Sequence, residues 1–241
     1  MIQKLIDDKL KADNEKVRIK SGKFSPSKLG MCYRHQVLNR ARIPVTNKPD
    51  SRGLRIFKVG NLFHDFIQGF IPNNETEVDC ESTDLMGRAD IVTEDTVYDI
   101  KSVHSKSFWY SKKDGYDVKK EKYNNWLQLA YYAHTLKKEK MVLVMISKDD
   151  MCIEEYTQLL KSWKDELSSE TNMLSHLWLN YGKTHVGTEP LPHALPRTKW
   201  DCGYGNNPCE YLDYCKGVEK DGHRIHPTDK PKPNSKSKSK S

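Results

Sequence analysis

The chain of 241 residues lacks any long apolar run and any apolar block near its start. A membrane-spanning helix needs about 18 apolar residues in succession, so the sequence predicts no membrane span. The N-terminal stretch MIQKLIDDKLKADNEK lacks the apolar core of a secretory signal, and its acidic residues disfavour an organelle transit peptide. We therefore expect a cytoplasmic protein with no membrane partner.

The positive charge of the chain is concentrated at its C-terminal end. The formal net charge is +7, and residues 227–241 contribute +4 of it through five lysines and one aspartate. The rest of the chain is mildly basic and long enough for one substantial domain with a small appendage. The Lys/Ser-rich tail, residues 221–241, cannot bury enough apolar surface to fold, so we expect it to be disordered.

The six cysteines do not suit a disulfide framework, because disulfide-rich domains are short and secreted. Clustered cysteines in a reducing compartment more often bind a metal. One cysteine in SKLGMCYRHQ and three late ones spaced C-x6-C-x5-C can supply four thiolates to a tetrahedral site. The remaining two are expected to be small buried hydrophobic side chains. The pattern comprises Cys32, Cys202, Cys209 and Cys215, and the other two are Cys80 and Cys152.

The spacing of apolar residues divides the chain into helical and strand segments. Strands are expected within residues 75–103, at 141–147 and around 151–158, and helices at 1–20, 25–42, 54–71, 118–140 and 158–181. Strands enclosed by helices favour an α/β fold, or the related α+β arrangement, with a central mixed sheet. The predicted division is an N-terminal helical extension (1–24), a core (25–181), a Cys-rich module (182–220) and the tail (221–241).

The stretch GRADIVTEDTVYDIKS combines strand-forming residues with ionisable ones. If Glu94–Asp95 forms a two-residue turn, the register places Asp90 opposite Asp99, with Cβ atoms about 5 Å apart. The strand period of two puts Lys101 on the same face as Asp99. The opposite face is expected to present Ala89, Ile91, Tyr98 and Ile100.

Facing carboxylates suit a hard divalent cation such as Mg²⁺ or Mn²⁺, which takes oxygen ligands and keeps waters for chemistry. Such a cation polarises a phosphoryl oxygen and supplies hydroxide near neutral pH, while Lys101 can steady developing charge. His64 on an upstream helix is a further potential ligand. Gln128 and Tyr132 share one helical face at i and i+4. Taken singly, these features also fit an exposed hairpin, a structural histidine and ordinary packing residues.

Four motifs in order, G-x-x-x-H, G-x-x-D, D-x-K and Q-x-x-x-Y, resemble those of the RecB-like branch of the PD-(D/E)XK nucleases. The second acidic position is aspartate here, where glutamate is common in that family. The resemblance covers residues 25–215 and implies a restriction-endonuclease-like core, a mixed sheet flanked by helices, at 25–181. The motif residues are Gly60, His64, Gly87, Asp90, Asp99, Lys101, Gln128 and Tyr132.

The resemblance implies catalytic roles for Asp90, Asp99 and Lys101. The two aspartates, His64 and the carbonyl group of Ile100 would bind one or two Mg²⁺ or Mn²⁺ ions. Lys101 would orient or deprotonate the attacking water, and cleavage would leave a 5′-phosphate and a 3′-hydroxyl. The residues that would contact DNA or support the site are Gln128 and Tyr132.

The cysteine pattern is similar to that of the iron–sulfur nucleases, namely the fourth CRISPR-associated (Cas) protein family, AddB and the helicase-nuclease of lagging-strand processing. In these families, one early and three late cysteines hold a [4Fe–4S] cluster that joins the ends of the nuclease domain. Their commonest late spacing is C-x2-C-x5-C, and GNNP stands here as four extra residues. The resemblance implies a [4Fe–4S] cluster at Cys32, Cys202, Cys209 and Cys215, with Zn²⁺ as the alternative occupant.

The iron–sulfur relatives mostly act on single-stranded DNA ends, which implies an exonuclease with 5′→3′ polarity. The absence of a G-x-x-x-x-G-K-[ST] motif indicates a stand-alone enzyme rather than part of a motor. Aromatic residues interleaved with lysines, with Trp109 and Tyr110 as the DNA-binding candidates, suit stacking on bases. In the alternative interpretation, Trp126 is a core residue and the other aromatics are loop residues.

Two other functions stay open at this point. The chain could be a DNA-binding, end-trimming adaptor in CRISPR spacer acquisition, with an integrase as partner, or in a phage recombination complex. It could also carry a vestigial site with the cluster as a redox sensor, although the intact acidic and lysine positions argue against this. Either pathway places the protein in a prokaryotic cell or a phage-infected host.

Overall fold

A five-stranded mixed sheet lies at the centre of this computed structural model, which describes residues 1–15, 21–182, 202–204 and 207–215. The strands lie side by side in chain order. The third and fourth run parallel, and the other neighbouring pairs are antiparallel. The strands are β1 (Glu75–Glu81), β2 (Met86–Val92), β3 (Thr96–Val103), β4 (Lys140–Ser147) and β5 (Ile153–Leu159).

The sequences of β4 and β5 reflect their different places in the sheet. Residues 141–147 of β4 are all buried, as expected of the apolar run MVLVMIS covered on both faces. Strand β5, at the edge, alternates between exposed and half-buried residues. The predicted strands and the central mixed sheet of an α/β fold are therefore confirmed.

Seven α-helices occur among the described residues up to 182, and helices cover both faces of the sheet. Helix α6 packs on one face, where four residues at the helical spacing i, i+3, i+4 and i+7 are fully buried: Trp126, Leu129, Ala130 and Ala133. On the other face, Ile67 of α3 packs in a second apolar cluster. The helices are α1 (Ile2–Glu15), α2 (Tyr33–Arg40), α3 (Ser51–Gln68), α4 (Ser105–Tyr110), α5 (Val118–Glu121), α6 (Tyr123–Thr135) and α7 (Lys164–Leu177).

The predicted helix over residues 25–42 is interrupted. A 3₁₀ turn at Pro26–Lys28 precedes α2, and Gly30 between them takes a left-handed φ of 75°. A helix cannot continue through this conformation. The Gly30 N–H instead donates to Glu170 Oε1 at 2.7 Å, which ties this bend to α7.

Two further predicted helices differ in extent, and α4 was not predicted. The segment 118–140 is divided into α5 and α6, and Lys137 with φ of 56° follows the end of α6. The segment 158–181 becomes α-helical at Lys164, because β5 extends to Leu159 and a 3₁₀ turn follows. No helix among the described residues is long and apolar enough to cross a bilayer.

The C-terminal region contributes two short strands, β6 (Gly203–Tyr204) and β7 (Asn207–Pro208), which pair antiparallel. Chain segments 183–201, 205–206 and 216–220 of the predicted Cys-rich module lie outside the described residues, as does the predicted tail, residues 221–241. All four cysteines of the predicted cluster are described.

Candidate active site

Strands β2 and β3 form the predicted hairpin with its turn at Glu94–Asp95. Their paired residues are Ile91 with Tyr98 and Val92 with Val97. In these described strands the backbone pairing goes no further, so Asp90 and Asp99 are not a regular ladder pair, which corrects the register at this step. The carboxylate of Asp90 instead accepts a hydrogen bond from the Ile100 N–H at 2.8 Å.

The alternation of side chains between the two faces of the sheet is also distorted next to Asp90. As predicted, one face carries Ile91, Tyr98 and Ile100. The prediction for Ala89 is wrong, because Ala89 packs in the core cluster under α6 on the other face. On the neighbouring strand, Glu77 has a φ of 53° and is left out of the β1–β2 pairs. The sheet is therefore irregular around Asp90.

Asp99 is the most buried ionisable side chain of the site, with 1% of its surface exposed. Its Oδ1 accepts hydrogen bonds from Lys101 Nζ at 2.6 Å and from Gln128 Nε2 at 2.9 Å. Among the described residues, no donor reaches its buried Oδ2. A buried carboxylate oxygen without a donor is costly, so this atom is suited to a cation.

His64 lies beside Asp90, with 3.5 Å between His64 Nδ1 and Asp90 Oδ2. Burial disfavours the charged imidazole, but the hydrogen bond and charge of Asp90 outweigh it and raise the pKa of His64. Burial likewise opposes ionisation of Asp90, yet His64, Lys101 and the Ile100 N–H together lower the pKa of Asp90. Asp90 is therefore the carboxylate held ionised.

The pKa values of the two aspartates are shifted in opposite directions. Burial raises the pKa of Asp99 to about 6, with the charge of Lys101 opposing the shift and the charge of Asp90 adding to it. Two carboxylates that share a site resist joint ionisation unless positive charge is present. A divalent cation would relieve this conflict, because it dominates the local field.

Helix α6 supports the site from inside the protein. Gln128 is buried and lies 3.5 Å, Nε2 to Oη, from Tyr132, which is also buried. Burial and the charge of Asp99 raise the pKa of Tyr132, so its hydroxyl stays protonated. Of the two predicted roles for this pair, DNA contact or support, the geometry fits support.

The two motif glycines differ in their surroundings. A Cβ atom at Gly87 would lie 2.9 Å from Pro26 Cδ and from Tyr132 Oη, which is too close for a side chain. At Gly60 the nearest such atom is Ser102 Oγ at 3.6 Å, an ordinary contact. Gly87 therefore allows a close approach beneath the site, whereas Gly60 does not need to be glycine for space.

Gln68 is a residue of the site that the motifs did not reveal. Its Nε2 donates to the Asp90 carbonyl at 3.0 Å. Gln68 follows His64 by four residues in α3, so both lie on one helical face. The i, i+4 spacing from His64 is the feature of the sequence that could have revealed Gln68.

The aromatic residues after β3 divide between core and surface. Trp126 and Phe108 are buried, which agrees with the alternative interpretation of Trp126 as a core residue. Trp109 and Tyr110 are about half exposed, and Trp109 Nε1 donates to Asp150 Oδ2 at 2.9 Å. These two rings are accessible at the surface, and among the described residues neither forms a hydrogen bond with Asp90 or Asp99.

One region of the protein, the cysteine corner, contains Cys32, Cys202, Cys209 and Cys215, although these described side chains are not gathered into a metal-binding set. Cys202 and Cys209 stand at the base of the β6–β7 hairpin, where the Cys209 N–H donates to the Cys202 carbonyl at 3.0 Å. Both strands of this hairpin lie between the two cysteines, so the longer C-x6-C spacing does not separate their backbones. Cys32 immediately precedes α2 and is buried.

The thiols of this corner influence one another. Burial raises the pKa of Cys215 to about 11, with Arg34 opposing the shift and Cys32 and Cys209 adding to it. Burial also raises the pKa of Cys209, to which Cys32 contributes. Thiols with raised pKa values are protonated near neutral pH, and a bound metal would deprotonate them. Of the two remaining cysteines, Cys80 is buried as predicted and Cys152 is half-buried.

Within the described residues, no three His, Cys, Asp or Glu side chains are gathered into a set that holds a metal ion as it stands. The chemistry of the donors nevertheless fits the predicted groups. The aspartate site offers two carboxylates, an imidazole and an oxygen without a donor, which suit a hard cation. The cysteine corner offers four sulfur ligands, which suit a thiolate-bound metal.

Comparison with solved structures finds a similar fold. The crystal structure of SSO0001 is 20% identical in sequence, with a TM-score of 0.54, over 90% of this chain and 97% of that chain. At this identity the similarity establishes the overall fold.

More distant similarities connect the chain with two exonuclease structures, at TM-scores too low to define the fold. The alkaline exonuclease LHK-Exo from Laribacter hongkongensis is 14% identical, over 64% of this chain and 89% of that chain, with a TM-score of 0.44. A phage related exonuclease from Haemophilus somnus 129PT is 12% identical, over 74% and 82%, with a TM-score of 0.29. No protein-family model and no curated protein matches the sequence.

Proposed function

We propose that the protein is a Mg²⁺- or Mn²⁺-dependent exonuclease that hydrolyses phosphodiester bonds of single-stranded DNA from the 5′ end. The observation that carries the proposal is the buried Asp99 carboxylate. One of its oxygens is held by Lys101 and Gln128, and the other has no donor among the described residues. Burying a carboxylate oxygen without a donor costs free energy, and a bound cation would offset this cost.

The chain's own residues would hold and orient the reactants. Asp90, Asp99 and His64 would be ligands of the cation, together with the carbonyl group of Ile100. The Ile100 N–H points at Asp90, and the two polar groups of a strand residue point to the same side, so this carbonyl faces the same gap. When bound, the divalent ion lowers the pKa of a water molecule and neutralises phosphate charge.

Lys101 would position the attacking water, and would either take up its proton as the neutral amine or, as the ammonium group, steady the negative charge that develops on the phosphate. Its Nζ is held at 2.6 Å from Asp99 Oδ1, so the ammonium group stays beside the reacting phosphate. Gln128 fixes the same carboxylate from α6. The products would carry a 5′-phosphate and a 3′-hydroxyl.

We also propose that Cys32, Cys202, Cys209 and Cys215 hold a [4Fe–4S] cluster, with Zn²⁺ as the rival occupant. The meeting of one cysteine before α2 with three from the C-terminal region supports a structural group that joins the two ends of the fold. The visible absorption spectrum of protein purified without oxygen tests this: a broad band near about 400 nm indicates iron–thiolate ligation. A colourless protein that contains stoichiometric zinc would contradict it.

The nuclease proposal is tested with oligonucleotides labelled at either end, in Mn²⁺ and in EDTA. We expect Mn²⁺-dependent shortening from the 5′ end of single strands, and no cutting of a circular single strand, which has no end. The double variant Asp99→Asn, Lys101→Ala should be inactive. Asp95→Asn, in the exposed turn of the same hairpin, is the matched control and should cut normally. Equal activity of the double variant and the control would disprove the site.

A further inference from the structure

A cavity of about 850 Å³ lies between α1 and the first half of α3 and is not used by the proposed mechanism. Helix α1, the predicted N-terminal extension, forms one wall and is held to α3 by an ion pair between Asp7 and Arg55. The loop before α3 and Glu210 complete the lining. This volume lies within the range of pockets that bind small organic ligands, about 300–1,000 Å³.

The cavity lies on the face of α3 that carries the aspartate site. Phe57 lines the cavity, and His64 follows it by seven residues, about 10 Å along the helix. Seven residues turn an α-helix by nearly two full turns, so the two side chains differ by only about 20° in direction. His64 lies 3.5 Å from Asp90, and a Cβ atom at the intervening Gly60 would lie 3.6 Å from Ser102 Oγ of β3. The cavity is therefore continuous with the site along α3.

Phe57 presents an aromatic ring to this cavity, with 61% of the residue exposed. Asn61, about one turn further along α3, adds an amide that can donate and accept hydrogen bonds. Lys58, next to Phe57, adds positive charge to the same lining. An exposed ring beside an amide and an ammonium group suits a nucleotide, because its base stacks on the ring and its phosphate attracts the lysine.

The acidic residues of the lining favour a base rather than a phosphate against α1. Asp13 of α1 forms an ion pair with Lys9 at 3.5 Å, and Glu210 Oε2 lies 3.4 Å from His35 Nε2. Carboxylates repel a phosphate but accept hydrogen bonds from the amino groups of bases. The charge distribution therefore favours a base between the two helices.

We infer that the cavity between α1 and α3 binds a nucleobase of the single strand near the scissile phosphate, with Phe57 as the ring on which the base stacks. The inference rests on the proposed nuclease function and adds a base subsite to it. Stacking on an aromatic ring tolerates all four bases, because each has a π-face. Helix α1 then has a function, since it supplies the wall of the subsite opposite α3.

The first test is equilibrium binding of a fluorescent single-stranded oligonucleotide in EDTA, which does not require cleavage. We expect Phe57→Ala to weaken binding about tenfold, as for the loss of one base–aromatic contact, while Phe57→Tyr binds like the wild type. The slope of log K against log salt should not change, because no charge is removed.

The matched control is Phe66→Ala, in the same helix and 46% exposed in the wild type. Phe66 follows Phe57 by nine residues, or two and a half turns, so it lies on the opposite face of α3. This variant should bind the oligonucleotide like the wild type. Thermal unfolding of both variants checks that they are folded. Equal weakening by the two substitutions would overturn the inference.

The second test uses a series of oligonucleotides, each with one abasic site at a successive position. Loss of the base that occupies the cavity should weaken binding to the wild type about tenfold, and Phe57→Ala should abolish the sensitivity at that position. Undiminished sensitivity at every position in Phe57→Ala would refute the stacking contact. If the wild type shows the expected pattern but cleaves nothing, the nuclease proposal fails and the base subsite stands.

Discussion

The aspartate site and the cysteine corner are built in opposite ways. The aspartates and Lys101 come from one hairpin, residues 90–101, and lie on the central sheet. The cysteines come from the start of α2 and from residues 202–215, far apart in sequence. The first arrangement is set by the pairing of two strands that are neighbours in sequence. The second requires that the C-terminal region has folded against the segment before α2.

The packing around the two regions differs accordingly. The hairpin is covered on both faces by the main apolar clusters. The cysteine corner rests on a small cluster that comprises Leu38, Tyr211 and Cys215. Two loop contacts add to it, since the Thr46 and Asn47 N–H groups donate to the Glu210 carbonyl at 2.9 and 3.0 Å. A region with so little apolar burial needs a further stabilising contact, so substitutions there should mainly lower the free energy of unfolding. Substitutions in the hairpin should mainly lower the rate of cleavage.

The largest expected effect is on catalysis by the hairpin. Asp99→Asn combined with Lys101→Ala should lower the rate of phosphodiester cleavage about ten-thousandfold, because a metal ligand and the water-positioning group are lost together. Circular dichroism should show the wild-type fold. The rate is measured by release of end label in Mn²⁺. A loss below tenfold would remove these residues from the chemistry.

The next effect is on the stability of the cysteine corner. Cys32→Ser should lower the free energy of unfolding by about 4 kcal/mol, because the proposed metal group would lose a ligand. Cleavage per folded molecule should change little. The control is Cys152→Ser, which is outside the corner. Denaturant unfolding of both variants, with metal content measured in parallel, gives the comparison, and equal stability of the two would contradict the proposed clasp.

In metal-free protein, the buried Asp99 of the hairpin should make the free energy of unfolding depend on pH. The folded Asp99 carboxyl keeps its proton to a pKa of about 6, against 3.8 as its ordinary value. The free energy of unfolding should therefore fall as pH rises between these values and stay reduced above them. Asp99→Asn removes this penalty, so at pH 7.5 in EDTA it should be more stable than the wild type by on the order of 1–3 kcal/mol.

The gain from Asp99→Asn should shrink at pH 4, where the wild-type carboxyl is itself protonated. Asp95→Asn, exposed on the same hairpin, should show no such gain. Added Mn²⁺ should stabilise the wild type and leave Asp99→Asn nearly unchanged. Denaturant titrations at the two pH values measure all three. A wild type more stable than Asp99→Asn at pH 7.5 without metal would contradict the burial argument.

The smallest effect distinguishes the two motif glycines. Gly87→Ala should destabilise the protein by about 1–3 kcal/mol, because its Cβ would press on Pro26 and Tyr132. Gly60→Ala should be neutral or stabilising by up to about 1 kcal/mol, since it has space and lies within α3. Thermal unfolding of the two variants is the measurement. Equal destabilisation would mean that both glycines are needed for space.

The sequence predicts most of the strand pairing in the hairpin, but it does not predict where that pairing stops. The pairs Ile91–Tyr98 and Val92–Val97 follow from alternation and a two-residue turn, as does the place of Lys101 beside Asp99. The sequence could not show that the ladder stops beside Asp90, because that depends on the neighbouring strand and on the Ile100 N–H.

Long-range effects also set the limits of the helix predictions. The bend at Gly30 is fixed by Glu170 from α7, a partner that no local pattern contains. Gln68 was missed because a single glutamine in a helix is common at surfaces. The cysteine positions could be recognised from their order, but their meeting depends on the closure of the entire chain.

The β6–β7 hairpin has a consequence for comparing this protein with others. Residues that face each other across the base of a hairpin remain neighbours however far its loop extends. Adding one residue to each strand would keep the backbones of Cys202 and Cys209 next to each other, so the interval between them can lengthen without moving them apart. A search for proteins with the same hairpin that demands a fixed interval between these two cysteines would therefore discard some of them, and one that accepts even-numbered insertions would retain them.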